Sequence, residues 1–249
     1  MAVAGVAGAV LAAAHGGSAD SGADGAGGPG GSSVPVSTAR SAAPPAGAPS
    51  HRPPGASRTT SSVTAGNGVF DTAKASGGSV GHGTLRRYKV QVEQGTGVSA
   101  ADAAREIEGI LGDPRSWTAD GHDAFQLVSG GAYDFEVKIA SPDTVDRICG
   151  AAGLHTHGEV NCDVGDQVVV NLKRWQTGSP EFPGPLHDYR ALIINHEVGH
   201  RIGHGHEGCP GPGLPAPAMM QQIDGLHGCV ANAWPYDAHG RYLAGPPVP

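Results

Sequence analysis

Short stretches in which apolar and polar residues alternate begin after about residue 69, and such alternation is typical of half-buried β-strands. Ser129, Gly130 and Gly131 separate two of these stretches, so we predict a hairpin there. Helices do not alternate regularly with the strands, so no βαβ repeat is expected before residue 180. The four or five predicted strands are drawn from YKVQVEQ (88–94), AFQLV (124–128), YDFEVKIA (133–140), EVNC (159–162) and QVVVNL (167–172).

Helical periodicity marks three other segments. Ser99 and Asp102 form a capping-box pattern that begins one helix, and Gly112-Asp113-Pro114 ends it. Residues 142–149 fit a short helix, and LHDYRALIINHEVGHRIG (186–203) has the length and spacing of a long one. The remaining 45 or so residues are rich in glycine and proline and predict loops. The expected fold class is therefore α+β, a mixed sheet with a backing helix, a long helix and an irregular C-terminal part. The buried face of the first helix is formed by Ala103, Ile107, Ile110 and Leu111.

Composition divides the chain of 249 residues. Gly, Ala, Pro and Ser fill 54 of the first 80 positions, too polar and too small a set to bury a core. Residues 1–14 resemble a signal-peptide core or an anchor remnant, although the first basic residue is Arg40. We favour a translation start upstream of residue 1, which would supply the basic residues of a signal peptide, over a low-complexity tail. Residues 15–65 read as a disordered linker, either an envelope tether or plain disorder. Residues 66–249 form the predicted domain.

The charge and the cysteines of that domain indicate which partners it binds and which compartment it occupies. Residues 81–249 hold 20 acidic and 12 basic side chains, a balance that disfavours nucleic-acid binding. The four cysteines allow three disulfide connectivities, and we choose the one that closes the two smallest loops. With the leader, this choice predicts an oxidising, extracytoplasmic protein, secreted or tethered to the envelope. Four buried thiols in a cytosolic protein are the alternative. The predicted disulfides are Cys149–Cys162 and Cys209–Cys229.

One motif carries chemistry, HEVGHRIGHGH at 196–206. His196 and His200 lie four residues apart, so a helix places both imidazoles on one face, close enough to share a metal ion. Gly203 permits the left-handed turn that ends the helix, and His206 can then return as a third ligand. Three histidines suit one Zn²⁺ per chain and leave a fourth position for water. Glu197 is then placed to accept a proton from that water.

The motif resembles the signature of the metzincin zinc metallopeptidases. That resemblance implies a zincin-like fold and a Met-turn, for which Met219 and Met220 are the candidates. The stretch 189–222 also resembles an uncharacterised family of exported actinobacterial zincin-like proteins, and the likeness extends from about residue 66. Glu207 is similar to the residue that astacins carry after the third ligand. The astacin pattern then breaks, because Gln221 and Gln222 replace its tyrosine; Tyr236 is a weaker candidate for the oxyanion.

The expected activity is hydrolysis of peptide bonds by a zinc-bound water with Glu197 as general base. The substrate is a peptide or protein that lies along an edge strand, for which we choose 133–140. We expect a monomer without a membrane span beyond the possible N-terminal anchor. One alternative is a cell-wall peptide amidase with the same chemistry. Another is a non-catalytic envelope-binding module, whose zinc would take a fourth protein ligand such as His204 or Glu207. A latent form inhibited by Asp71 is a further possibility.

Overall fold

The computed structural model describes residues 65–249. The predicted leader at 1–14 and all but the last residue of the predicted linker at 15–65 lie outside the described residues. Within the described part, seven strands form a single mixed sheet whose main path runs β2-β4-β3-β5-β7-β6, with β1 beside β3. The strands are β1 (Phe70–Thr72), β2 (Val80–Gly81), β3 (Thr84–Glu93), β4 (Asp123–Leu127), β5 (Phe135–Ala140), β6 (Cys162–Val164) and β7 (Gln167–Asn171).

The centre of the sheet is parallel. Strand β3 runs parallel to both β4 and β5, and β5 runs parallel to β7. The predicted hairpin of 124–128 with 133–140 is therefore wrong. The first half of β3 pairs with β4 as far as Leu127, and the second half pairs with β5 from Phe135, so the turn at 129–131 carries the chain from one side of β3 to the other. A helix also connects β3 to the parallel β4, a βαβ unit that the sequence pattern did not predict.

The edge strand differs from the expected one. Strand β5, the core of the predicted 133–140 stretch, is hydrogen-bonded on both sides, so a peptide cannot add to it. One edge of the sheet is instead β6, which among the described strands pairs with β7 alone and runs antiparallel to it. Asp163 lies opposite Val168 in that pair, and residues directly opposite one another share a face of the sheet. The face of Val168 is the one that packs against the long helix.

Four helices accompany the sheet: α1 (Ala100–Leu111), α2 (Pro142–Gly150), α3 (Leu172–Thr177) and α4 (Leu186–Ile202). The predicted start of α1 is confirmed, because the Ser99 side chain accepts a hydrogen bond from the backbone N–H of Asp102. The Asp102 side chain pairs with Arg105 instead of completing the capping box. Helix α3 is new; Leu172 begins it where a strand was expected, and Asn171 caps it.

The two faces of the sheet bury two separate cores. The larger core packs α1 and α4 against one face, around Tyr88, Phe125, Ile107 and Ile194. The smaller core lies on the other face, where α2 covers Val169 and its neighbours. Alternate residues of β7 enter opposite cores, as expected for a strand covered on both sides. The sheet and its helices thus confirm the α+β class.

A buried carboxylate fixes the N-terminus of α2 to the end of β3. Glu93 is 1% exposed and accepts hydrogen bonds from the backbone N–H groups of Gly68 and Ser141 and from the Thr144 hydroxyl, each at 2.7 Å. Burial raises the pKa of this carboxyl group, but the three hydrogen bonds outweigh burial and hold its pKa below the usual range. Glu93 is therefore charged in the folded protein at neutral pH.

Both predicted disulfides are present in the structure, Cys149–Cys162 and Cys209–Cys229. The first joins the end of α2 to β6 and closes the loop between them. The second closes a loop in the C-terminal part, which contains a single 3₁₀ turn, Gln222–Asp224, as its regular element. Within residues 65–249, none of the helices combines the length and the apolar character needed to cross a membrane.

Candidate metal centre

Helix α4 and the turn after it bring three histidines together. His196 and His200 lie one turn apart near the end of the helix, as predicted. Gly203 then caps the helix with a φ of 105°, in the left-handed region that glycine adopts readily. The reversal returns His206 to the same face. The three ring nitrogens form a group of possible metal ligands that all lie within 4.8 Å of one another.

The Nε2 atoms face a common point. Nε2 of His200 lies 3.2 Å from Nε2 of His196 and 3.1 Å from Nε2 of His206. Nδ1 of His196 lies 2.9 Å from the carbonyl oxygen of Ala218, and Nδ1 of His200 lies 2.9 Å from that of His204. A carbonyl oxygen only accepts, so each Nδ1 carries the proton and each Nε2 presents a lone pair.

These lone pairs fit a transition-metal ion. The lone pairs of His196 and His200 face each other at 3.2 Å and repel unless a cation lies between them. Zinc binds imidazole nitrogen at about 2.0–2.1 Å, which in a tetrahedron separates two ligand atoms by about 3.3–3.4 Å. The spacing in the structure is close to that value. Three neutral imidazoles suit zinc or a similar transition metal and disfavour magnesium or calcium, which prefer oxygen ligands.

Burial keeps the imidazoles neutral. Burial, and to a lesser extent the neighbouring His200, lower the pKa of His196 to about 3. Burial is also the main reason that the pKa values of His200 and His206 lie below the usual range. Because a histidine must be neutral to bind a metal, all three are ready to do so at neutral pH.

Glu197 lies beside this cluster and does not join it. Its side chain is 6% exposed and lines the cavity that contains the three imidazoles. Burial, and to a lesser extent the negative charge of Asp163, raise the pKa of Glu197 to about 8. The carboxylate form is thus a stronger base than an exposed glutamate, and the positive charge of a metal held by the histidines would favour that form at neutral pH.

The two methionines occupy different places. Met219 is fully buried beneath α4, where a Cβ added to Gly199 would lie 2.3 Å from its sulfur. Its carbonyl oxygen accepts a hydrogen bond from the N–H of Glu207, and the preceding Ala218 accepts one from His196. Met220 instead lines the cavity. The sequence could not distinguish the two, and the structure places Met219 under the histidine cluster.

A cavity of about 480 Å³ opens above the cluster. Helix α4 forms its floor, the loop that the Cys149–Cys162 disulfide closes forms one wall, and the segment after Met219 forms another. Most of the wall is apolar, and its carboxylates are Glu197 and Asp163. Apolar walls with a few polar groups are typical of a ligand-binding cavity. The apolar side chains include Leu154, Val160, Leu192, Ile193 and Ile223.

Several other predicted residues lie outside the cluster. His204, named as a possible fourth ligand, is half-buried and stacks on Trp117 with ring centroids 4.2 Å apart. Glu207 accepts hydrogen bonds from the Tyr242 hydroxyl and the Gly245 N–H, both at 2.8 Å. Tyr236 donates to Asp120 at 2.8 Å and does not line the cavity. Asp71 also does not line it and accepts from Gln94 at 2.8 Å.

The two glutamines after the methionines differ in role. The amide nitrogen of Gln221 lies 3.2 Å from Nε2 of His206, on the exposed side of the cavity. Gln222 is 1% exposed and donates to the carbonyl oxygens of Pro217 and Asn232. Gln221 therefore contacts the centre, while Gln222 holds the loop that surrounds it.

Sequence reasoning missed two residues. Asn195, directly before the motif, is fully buried; it accepts from Ser116 at 2.8 Å and donates to the carbonyl of Ala233 at 3.0 Å, so it fixes α4 to both neighbouring loops. The sequence feature that could have identified Asn195 is its place as a lone polar residue after four apolar or small residues, 191–194. Asp163 reaches the cavity from β6, and only the pairing of that strand reveals it.

Comparison with known proteins gives one finding. A family model described as "Protein of unknown function (DUF3152)" matches residues 53–237, most of the chain, including α4 and all three histidines. No curated protein and no solved structure matches the chain. The extent of the match shows that the chain belongs to the DUF3152 family of proteins of unknown function.

Proposed function

We propose that this protein is a zinc-dependent metallopeptidase of the metzincin type that acts outside the cytoplasm. One observation carries the proposal: three neutral imidazoles converge through Nε2 in a cavity that also holds the buried carboxyl group of Glu197. The two disulfides support the extracytoplasmic setting, because such bonds persist in oxidising compartments.

His196, His200 and His206 would hold the ion. When bound, zinc polarises the carbonyl group of the substrate and makes water acidic enough to lose a proton near neutral pH. Glu197 accepts that proton and then delivers it to the amine that leaves. The neighbouring position of Glu197 on the helix directs its carboxyl group into the cavity, and burial makes it more basic than an exposed glutamate.

Three features of the fold support the metzincin type. The cluster follows a mixed sheet and lies at the end of a helix that packs on it. Met219 packs beneath the histidines, as the methionine of a Met-turn would. Strand β6 is an antiparallel edge strand whose residues line the cavity, so an extended peptide can pair with it. Strand β6 thus replaces 133–140 as the proposed substrate-binding strand.

Gln221 supplies a hydrogen-bond donor where the astacin pattern has a tyrosine. When Nδ1 of His206 carries the proton, the Gln221 amide can donate to Nε2 of His206. A cation on that Nε2 would occupy the lone pair and release the amide N–H groups into the cavity. There they can stabilise the negative charge that develops on the carbonyl oxygen of the substrate.

The rival interpretation, a structural zinc in a binding module, requires a fourth protein ligand. Among the histidine, cysteine, aspartate and glutamate residues at 65–249, the three histidines form the whole group. His204 stacks on Trp117, and Glu207 is held by Tyr242 and Gly245. A centre with three protein ligands favours catalysis, because the fourth position stays available to water or substrate.

Cleavage of an unfolded protein substrate by the zinc-loaded full chain tests the proposal. We expect wild type to cleave it and Glu197→Gln to bind equal zinc yet to be slower by at least 100-fold, because general-base catalysis contributes roughly that much or more. Glu181→Gln, an exposed change outside the cavity, should behave as wild type. Similar turnover by wild type and Glu197→Gln would refute the role of Glu197.

A further inference from the structure

Asp163 is a cavity carboxylate that the proposed chemistry does not use. It lies on β6, on the face that packs against α4, and lines the same cavity as Glu197 and the histidines. Its side chain is 12% exposed. Its Oδ1 atom is buried and has no hydrogen-bond partner among the described residues. The Asp163 carboxyl group at the cavity wall therefore has unused capacity to accept a hydrogen bond, which a bound ligand can supply.

Arg201 does not satisfy this carboxylate. Its Nη1 atom lies 3.6 Å from Oδ1 of Asp163, too far for a hydrogen bond, and donates to the carbonyl oxygen of Gly165 instead. Arg201 is also absent from the cavity wall, which among the described residues has no lysine or arginine. Arg201 thus forms a loose ion pair with Asp163 from outside the cavity, and no cation of the described cavity wall faces the carboxyl group.

Burial raises the pKa of the Asp163 carboxyl group to about 6, although the charge of Arg201 acts in the opposite direction. A positive group that enters the cavity would stabilise Asp163 in its charged form. The apolar side chains of Leu192 and Ile193 would meanwhile pack against an aliphatic stem, as they would for a long basic side chain.

We infer that Asp163 is the specificity residue of this cavity and selects peptides with an ammonium or guanidinium side chain adjoining the cleaved bond. This inference rests on the proposed function for the position of the bond, since Asp163 and the histidine cluster share one cavity. The apolar wall favours a side chain that combines a hydrocarbon stem with a terminal positive charge. Lysine and arginine have that chemistry.

Binding to an inert variant tests the inference without turnover. Glu197→Gln full chain is loaded with zinc and titrated calorimetrically with six-residue peptides in which one lysine, scanned through all positions, is compared with norleucine. We expect lysine to bind at least tenfold tighter at one position, because a charge-assisted hydrogen bond contributes that much. Adding Asp163→Asn should bring the two peptides within twofold, whereas adding Asp166→Asn, an exposed change in the adjacent turn, should preserve the preference.

Two results would overturn the inference: no position at which lysine binds tighter than norleucine, or a lysine preference that survives Asp163→Asn. Thermal unfolding separates selection from a structural ion pair. If Asp163 served only Arg201, Asp163→Asn would lower the melting temperature, whereas the inference expects it unchanged or raised. Cleavage by wild type is measured separately, so a lysine preference without cleavage would refute the proposed chemistry and leave the role of Asp163 standing.

Discussion

Gly199→Ala tests whether the packing of Met219 beneath α4 maintains the histidine cluster. A Cβ at this position would lie 2.3 Å from the sulfur of Met219 and 2.8 Å from Cζ2 of Trp117. Ordinary carbon contacts are about 3.5–4.0 Å, so both neighbours must withdraw, Met219 by about 1 Å and Trp117 by somewhat less. Trp117 is 1% exposed and donates to the carbonyl of Asn195 at 2.8 Å, so it cannot move freely.

The expected cost follows from two opposing effects. Overpacking a core by one methyl group destabilises by about 1–3 kcal/mol. Replacing a helical glycine by alanine stabilises by up to about 1 kcal/mol. The net loss in the free energy of unfolding is about 1–2 kcal/mol, or about 2–8 °C in melting temperature for a domain of this size. Zinc affinity should fall as well, because His196 and His200 flank Gly199 on the same helix.

Gly109→Ala is the matched control. Gly109 is an exposed position of α1, and a Cβ there would meet no atom within 4 Å. Stability is measured by calorimetric unfolding, and zinc affinity by a competitive titration, for wild type and both variants. We expect Gly109→Ala to be more stable than wild type and to bind zinc equally. If Gly199→Ala were also more stable, with unchanged zinc affinity, the proposed support of the histidine cluster by Met219 would be refuted.

Two further predictions concern Gln221 and Glu93. Gln221→Ala should lower kcat by about 10-fold to 100-fold while the fold stays intact. Gln222→Ala should instead lower the melting temperature, because it leaves buried carbonyl groups without donors. If Gln221→Ala and wild type had equal kcat, Gln221 would have no role in catalysis. For Glu93, the lowered pKa means that its contribution to stability is complete above the unfolded pKa of about 4.3 and is lost as pH falls through the folded pKa. Glu93→Gln should therefore lower the free energy of unfolding, measured with urea, by about 2 kcal/mol at pH 7 and by less at pH 3. The cost arises because either orientation of the glutamine amide turns its NH₂ group toward an N–H or O–H donor. A cost that did not shrink on acidification would contradict the three hydrogen bonds assigned to Glu93.

Local features were predictable from the sequence. The start of α1 at Ser99, the end of α4 at Gly203 and the approach of His196 to His200 depend on residues at most four positions apart. Helical geometry alone brings such residues together. His206 could be added to this cluster because a single glycine turn brings the chain back to the helix. For these reasons the sequence located the histidine cluster. Both disulfides were predicted on different grounds, because pairing each cysteine with its neighbour in sequence closes the two smallest loops.

Non-local pairing was not predictable. The glycine turn at 129–131 suits a hairpin locally, yet β3 has enough length and buried surface to pair with β4 and β5 in succession. The position of each strand in the sheet depends on such long-range pairing, so the edge strand was assigned to 133–140 instead of β6. Asp163 stayed unrecognised for the same reason. The choice between Met219 and Met220 depends on packing beneath α4, which no sequence pattern encodes.

Stoichiometric restoration of metal tests the central claim most directly. The full chain is stripped of metal, and cleavage of an unfolded protein substrate is followed while zinc is added back. The account predicts no cleavage without metal and a linear recovery that ends at one zinc per chain, with neither binding nor cleavage in His200→Ala. Undiminished cleavage by metal-free wild type, or tight binding of one zinc by His200→Ala, would contradict it.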